Sequence, residues 1–358
     1  MNRRNFIQKT ALATSAFVLN QRLVAQTTDK PIIIDGMGEV RLEYSESLIS
    51  EMIASGINAV QITLGNPALQ GASAWQDVLD EIAAYEAHIR LRKKQFLKAT
   101  TAADIDRAKK EKRIALFYLF QNTSPIGDDL GGLKFFYDLG VRTIQLTYNF
   151  RNLVGDGCLE RTEAGLSNFG LRVIERMNAL GLLIDLSHAG MKTMAEAIHF
   201  SKGPVAITHS GCKAVFDHPR NVSDENLRAL GEKGGVIGIY QINPYISAKE
   251  RSTLDDYMNH IDHAVKTAGV ESVGIGSDRE HKTIPDTEEE KRKLEQELSR
   301  LKPNKKASFR WPFFISELNG PRRMEAIWGA LGKRGYSSGD RDKVMGGNFY
   351  RLIKEVMG

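Results

Sequence analysis

The chain has 358 residues, 42% of them hydrophobic and 26% charged, which is enough apolar mass for a full core and excludes a disordered protein. Its net charge of +5 includes Arg3, Arg4 and Lys9 of the amino terminus, and elsewhere lysines and arginines are interleaved with acids, so there is no nucleic-acid footprint. Two cysteines, Cys158 and Cys212, are too few for a disulfide framework, and the sequence leaves open whether they pair.

In chain order, the first segment differs in kind from the rest. "NRRNFIQKT" is followed by the apolar "ALATSAFVL" and by small residues near "LVAQ". That apolar stretch is too short for a bilayer anchor, and twin arginines before Phe-Ile and a lysine resemble a twin-arginine export signal. Residues 1–26 are therefore expected to be a signal cleaved near Ala25 or Gln26. The mature protein, residues 27–358, is expected to be a single periplasmic domain with no stable membrane span.

From there, short apolar runs alternate with helical patterns. The runs that read as strands are "PIIIDG", "INAVQITL", "RIALFYLFQ", "RTIQLTY", "LLIDLSH", "PVAITHS", "GVIGIYQ" and "SVGIGSD". Between them helices are predicted over Ser45 to Ala54, Leu130 to Leu139, Gly165 to Leu180, Met191 to Phe200, Asp224 to Glu232 and Leu254 to Lys266. Glycines in "ASGI", "DLGV" and "ALGL" suit left-handed C-caps. Eight βα units predict an α/β fold, a (β/α)8 TIM barrel with its chemistry at the carboxyl ends of the strands. The dense charge run from Asp286 to Lys306 reads as a solvated helical insertion, with a lid over the barrel mouth as the alternative. The tail "RDKVMGGNFYRLIKEVMG" reads as a closing amphipathic helix.

The strand ends carry the candidate chemistry. The fifth run ends at Ser187-His188, the sixth at His209-Ser210 and the eighth at Ser277-Asp278, while the fourth offers Tyr148, the third Gln121, and the first Met37 and Glu39. One histidine after a strand is usually a hydrogen-bonded structural residue. Two on adjacent strand ends, with a carboxylate on another, suit zinc with a position left open for water. Arg220, in "DHPRN", is placed to grip a carboxylate bidentately, with a surface salt bridge as its alternative. His88, His199, His260 and His263 fall within helical patterns and read as surface or packing residues.

Together, "LGLLIDLSHAG", "PVAITHS", "HPRNVSDENLRAL", "GGVIG", "VGIGSD" and "GGNFYRL" resemble, in order and spacing, the membrane dipeptidase family, also called renal dipeptidases. The resemblance runs from about Pro31 to the carboxyl end. It implies a barrel of the metal-dependent hydrolase type that cleaves dipeptides with two zinc ions, and homodimers are common among such proteins. It assigns His188 and His209 to one zinc, Asp278 to the acid at the end of the eighth strand, and Arg220 to the dipeptide carboxylate. In "GVRTIQLTYN", Tyr148 stands where the family has a histidine that stabilises the tetrahedral intermediate, and its hydroxyl can donate to an oxyanion.

The departures gather at the other zinc. Where the family has Asp-Gly-His-x-Asp, this chain has Asp35, Gly36, Met37, Gly38 and Glu39. Its bridging glutamate appears as Gln121, and "REH" replaces Phe-Asp-Gly after Asp278. An amide brings no charge to offset two dications, and a thioether is a soft ligand ill suited to zinc. The expectation is one Zn2+ on His188 and His209, with Glu39 and Gln121 as weak ligands and the second position weakened or lost. Asp278 and Tyr148 are then the catalytic candidates, and Arg220 and Tyr148 hold a small dipeptide-like substrate. The alternative is a catalytically silent barrel that binds a small ligand or partner, suggested by the joint change at Met37, Gln121 and Tyr148.

Overall fold

The computed structural model describes residues 31–301 and 310–358. The expected export signal and the end of the charged insertion lie outside the described residues. Two units are distinguished, Met1–Pro31 and Ile32–Gly358, and the second contains every element below.

Nine strands run parallel: β1 (Ile33–Gly38), β2 (Ile57–Thr63), β3 (Phe96–Lys98), β4 (Ile114–Phe120), β5 (Val141–Gln145), β6 (Leu183–Asp185), β7 (Ala206–Ser210), β8 (Val236–Ile239) and β9 (Val273–Ile275). β1 pairs with β2, β2 with β4, and each later strand with the next until β9 returns to β1. The result is a closed eight-stranded (β/α)8 barrel of the metal-dependent hydrolase type. All eight expected strands are present, because runs buried on both faces are continuous in apolar residues. The extra strand, β3, pairs with the start of β4 through Phe96 and Ile114, and β5 takes over the same edge at Tyr118.

The six expected helices form at Glu46–Ala54, Gly131–Asp138, Asn168–Leu180, Met191–Phe200, Asp224–Glu232 and Leu254–Ala268. Ser45, Ser167, Ser223 and Thr253 cap four of them by accepting a backbone N–H three residues on. Helices Gly71–Leu91 and Ala102–Glu111 were not foreseen. The charge run is helical over Glu288–Leu301, with most of its described side chains exposed. No helix among the described residues is long and apolar enough to cross a membrane.

The floor of the barrel is apolar. Ile34, Ala59, Ala115, Phe117, Leu183, Ala206 and Val236 cluster with Phe349, Leu352 and Ile353 of the terminal helix Asn348–Met357. A Cβ on Gly36 would lie 2.3 Å from the Phe349 ring, and one on Gly274 2.7 Å, so glycine at these strand positions makes room for the plug. Above it the interior turns polar, with Asp35, Gln61, Thr143, Asp185, Thr208 and Ser277 fully buried. Such groups need partners, and they have them: Thr143 donates to Gln61 Oε1 at 2.5 Å, and Gln61 donates to the Gly36 carbonyl at 2.9 Å. This polar layer underlies the carboxyl ends of the strands.

Candidate active site

His188 follows β6 in a left-handed conformation, φ +62°, which a non-glycine residue adopts only when its surroundings enforce it. Its Nδ1 lies 2.8 Å from Asn149 Oδ1. An amide oxygen only accepts, so Nδ1 carries a proton and donates to it. The ring stacks on Tyr148 at 4.3 Å and meets His209 edge-on at 5.2 Å.

His209, at the end of β7, is fixed by a relay. Thr208 donates to Asp185 Oδ2 at 2.6 Å, and Thr208 Oγ1 lies 2.9 Å from His209 Nδ1. A hydroxyl has one proton; with that given to Asp185, Thr208 accepts from the imidazole, and Nε2 is left unprotonated. This nitrogen is buried with no hydrogen-bond partner among the described residues. Burial, then the charge of Arg220, push the imidazole well below its ordinary pKa, so it is neutral. A buried lone pair without a partner is costly, and an imidazole nitrogen of this kind can serve as a metal ligand.

Asp278 follows β9, also left-handed at φ +54°, with its N–H held by the Met37 carbonyl at 2.9 Å. Burial raises its pKa to about 7, against the pull of Arg220 and with a further push from Glu39. Arg220 is 5% exposed. Its Nη2 donates to the His209 carbonyl at 3.4 Å, and its guanidinium lies 5.7 Å from the centre of the Tyr240 ring. Among the described residues it forms no ion pair within 4.0 Å. A buried guanidinium without an ion-pair partner is costly to keep charged. The field of Asp278 also reaches Tyr148, whose phenol burial keeps protonated and able to donate.

The exit of β1 is built differently. Met37 is wholly buried. The Glu39 carboxylate pairs with Arg41, which also binds Glu280 at 3.3 Å. Gln121, just beyond β4, is buried; its carbonyl accepts from Gln145 Nε2 at 2.6 Å, and it lines a cleft with Leu64, Asn66, Pro67 and Asn122. No set of three His, Cys, Asp or Glu side chains among the described residues is arranged to hold a metal. The two imidazoles of His188 and His209 are the donors that would hold a cation at this end of the barrel. At β1 the position of Met37 offers only a thioether, and the Glu39 carboxylate is paired with Arg41.

Several residues at the site escaped the sequence. Asn149, Thr208 and Asp185 orient the two imidazoles. Asp35 accepts from Ser277 at 2.7 and 2.5 Å, lies 3.6 Å from His281 Nε2, and is raised by burial to about 6. Arg279 and Arg323 are also buried, and the charge of Arg323 acts on Asp35. Asp185 and Thr208 were visible as polar interruptions of apolar strands, whereas Arg323, inside a helix, gave no signal. His260 and His263 fill the packing roles expected of them: the first lies between the Cys212 N–H and the Ile246 carbonyl, the second against Asp224.

The sequence pattern of the membrane dipeptidases, peptidase family M19, matches residues 44–301. An uncharacterized dipeptidase of Schizosaccharomyces pombe is 37% identical over 172 residues, covering 46% of this chain and 41% of that protein. A dipeptidase of Clonostachys rogersoniana is 35% identical over 182 residues, covering 50% of this chain and 47% of that protein. The matches thus span less than half the length of these two relatives. Among solved structures, an amidohydrolase from Pseudomonas aeruginosa superposes with a TM-score of 0.82 at 30% identity, covering 92% of this chain and 98% of that one.

Proposed function

The chain belongs to the membrane dipeptidase family, peptidase family M19, and from that premise we propose that it hydrolyses dipeptides or related small amides, with one zinc ion held by His188 and His209. The observation that carries this reading is the His209 Nε2 lone pair, buried, neutral and aimed by the Asp185–Thr208 relay. Zinc bound there would supply Lewis acidity at the scissile carbonyl and acidify the attacking water.

The protein's own groups do the rest. Arg220 holds the terminal carboxylate of the substrate, which fixes the scissile bond over the two histidines. Asp278, with a pKa near neutrality, takes the proton from water and returns it to the leaving amine. Tyr148 donates to the oxygen on which charge develops. The twin-arginine pattern of the amino terminus supports export to the periplasm. The surface charge, interleaved in sign, offers nothing to nucleic acid.

A panel of dipeptides, including D-residues at the carboxyl side, tests the reading. Turnover is expected to vanish with a chelator and return on adding zinc, cobalt or manganese. No bound metal and no turnover with any of the three would instead establish the silent barrel, the reading that Met37, Gln121 and Tyr148 favour.

A further inference from the structure

Near Arg220 lies a row of aromatic rings that the chemistry above does not use. Phe216 and His218 come from the loop after β7, Tyr245 from the short helix Asn243–Ile246 after β8, and Phe313 from the segment ahead of the helix Arg323–Lys333. Each is half-buried. The rings of Phe216 and His218 are nearly parallel at 6.1 Å, His218 stacks on Tyr245 at 4.5 Å, and Phe313 meets Tyr245 edge-on at 6.3 Å.

Buried amides hold the row in place. Asn221, wholly buried, donates through Nδ2 to the Phe216 carbonyl at 2.8 Å and to the Tyr245 carbonyl at 3.1 Å, while its Oδ1 accepts from the Tyr240 hydroxyl. Asn243 N–H donates to the Phe313 carbonyl at 3.2 Å, and Ile242 bridges to Phe314, which ties the third segment to the second. Arg220 N–H donates to His218 Nδ1 at 3.2 Å, so the residue that carries the guanidinium also fixes the imidazole. Its guanidinium lies 5.7 Å from the centre of the Tyr240 ring, and that ring is 5.7 Å from Tyr245.

Single exposed aromatics are ordinary on a protein surface, but a contiguous row beside a charged anchor has the make-up of a ligand site. Rings with polarised faces and edges favour another flat ring over an aliphatic group of equal bulk. In a dipeptide the carboxyl-terminal side chain leaves the same carbon that bears the carboxylate, so it falls against whatever flanks the carboxylate's anchor.

We propose that Phe216, His218, Tyr245 and Phe313 form the subsite for the side chain of the carboxyl-terminal residue and select an aromatic group there. The inference rests on the hydrolase reading above, with Arg220 as the carboxylate anchor. His218 is its central member, since it joins Phe216 to Tyr245 and is bonded to Arg220.

Ala-Phe, Ala-cyclohexylalanine and Ala-Gly test it, the first two with L- and D-residues at the carboxyl side. In the zinc-reconstituted protein kcat/KM is expected to be about tenfold or more higher for the better Ala-Phe isomer than for Ala-Gly, and higher than for cyclohexylalanine, whose ring has similar bulk and no π face. Equal values for phenylalanine and cyclohexylalanine, or a preference for Ala-Gly, would overturn the proposal. His218→Ala is expected to bring the Phe-to-Gly ratio close to one and His218→Phe to restore it; a ratio unmoved by His218→Ala would also overturn it. If His218→Ala fails to fold, Phe313→Ala is read by the same ratio. Absence of turnover with every peptide would remove the hydrolase reading, and calorimetric Kd values for the same peptides would then decide the subsite by the same ranking.

Discussion

Thr208 has one hydroxyl proton, and giving it to Asp185 settles which nitrogen of His209 is left to bind. Thr208→Val keeps the shape and removes the relay, so zinc affinity is expected to fall about 10- to 100-fold, read by chelator competition with the fold intact; unchanged affinity would place the orienting group elsewhere. Asp278 carries a second prediction. Burial lifts its pKa to about 7, above the unfolded value near 3.9, so its contribution to stability is complete below that lower value and is lost as pH rises through 7. Catalysis needs the carboxylate, so kcat/KM is expected to climb through pH 7, and Asp278→Asn is expected to abolish that limb and cost about 10²- to 10⁴-fold. A flat profile in wild type would remove Asp278 from the role of base. The sequence singled out His188, His209 and Asp278 because each lies at or just after a strand run, where a barrel places its chemistry, and Arg220 from the loop "DHPRN" that follows β7. Asn149 gave no signal, and Asp185 and Thr208 stood out only as polar residues within apolar runs, with nothing to mark them as the groups that orient His209. Arg279 was visible only as a departure, and its burial came from the loop carrying Phe313, Phe314 and Asn319.

The barrel floor depends on the helix Asn348–Met357, whose Phe349 fills the space that Gly36 and Gly274 leave. Phe349→Ala is expected to cost about 3–5 kcal/mol, measured as a lowered urea midpoint; a loss under 1 kcal/mol would show that the strands close without the plug. The eight strands could be read because each is a continuous apolar run. β3 offers only Phe96 and Leu97 between basic residues, in "RKKQFLK", so no apolar run marks it. The helix Gly71–Leu91 was harder to see for another reason. Its buried stripe of Ala74, Val78, Ile82, Tyr85 and His88 has helical spacing, but its residues are mixed in size and polarity, and Gln70 supplies no side-chain cap.

On the scale of the whole molecule, the core is complete without a metal: the cluster between barrel and helices and the one at the floor hold no metal donor apart from Cys212. Zinc is therefore expected to stabilise by mass action alone, about 2.7 kcal/mol at a free concentration one hundred times Kd. Chelation should lower Tm by several degrees and leave the far-ultraviolet spectrum unchanged; collapse of that spectrum would show that metal binding and folding are one event.

The most direct measurement is zinc content per chain after reconstitution and gel filtration, in wild type and in His209→Ala. One zinc in wild type and none in the variant is the predicted result. Two in wild type, or an unchanged count in the variant, would contradict it.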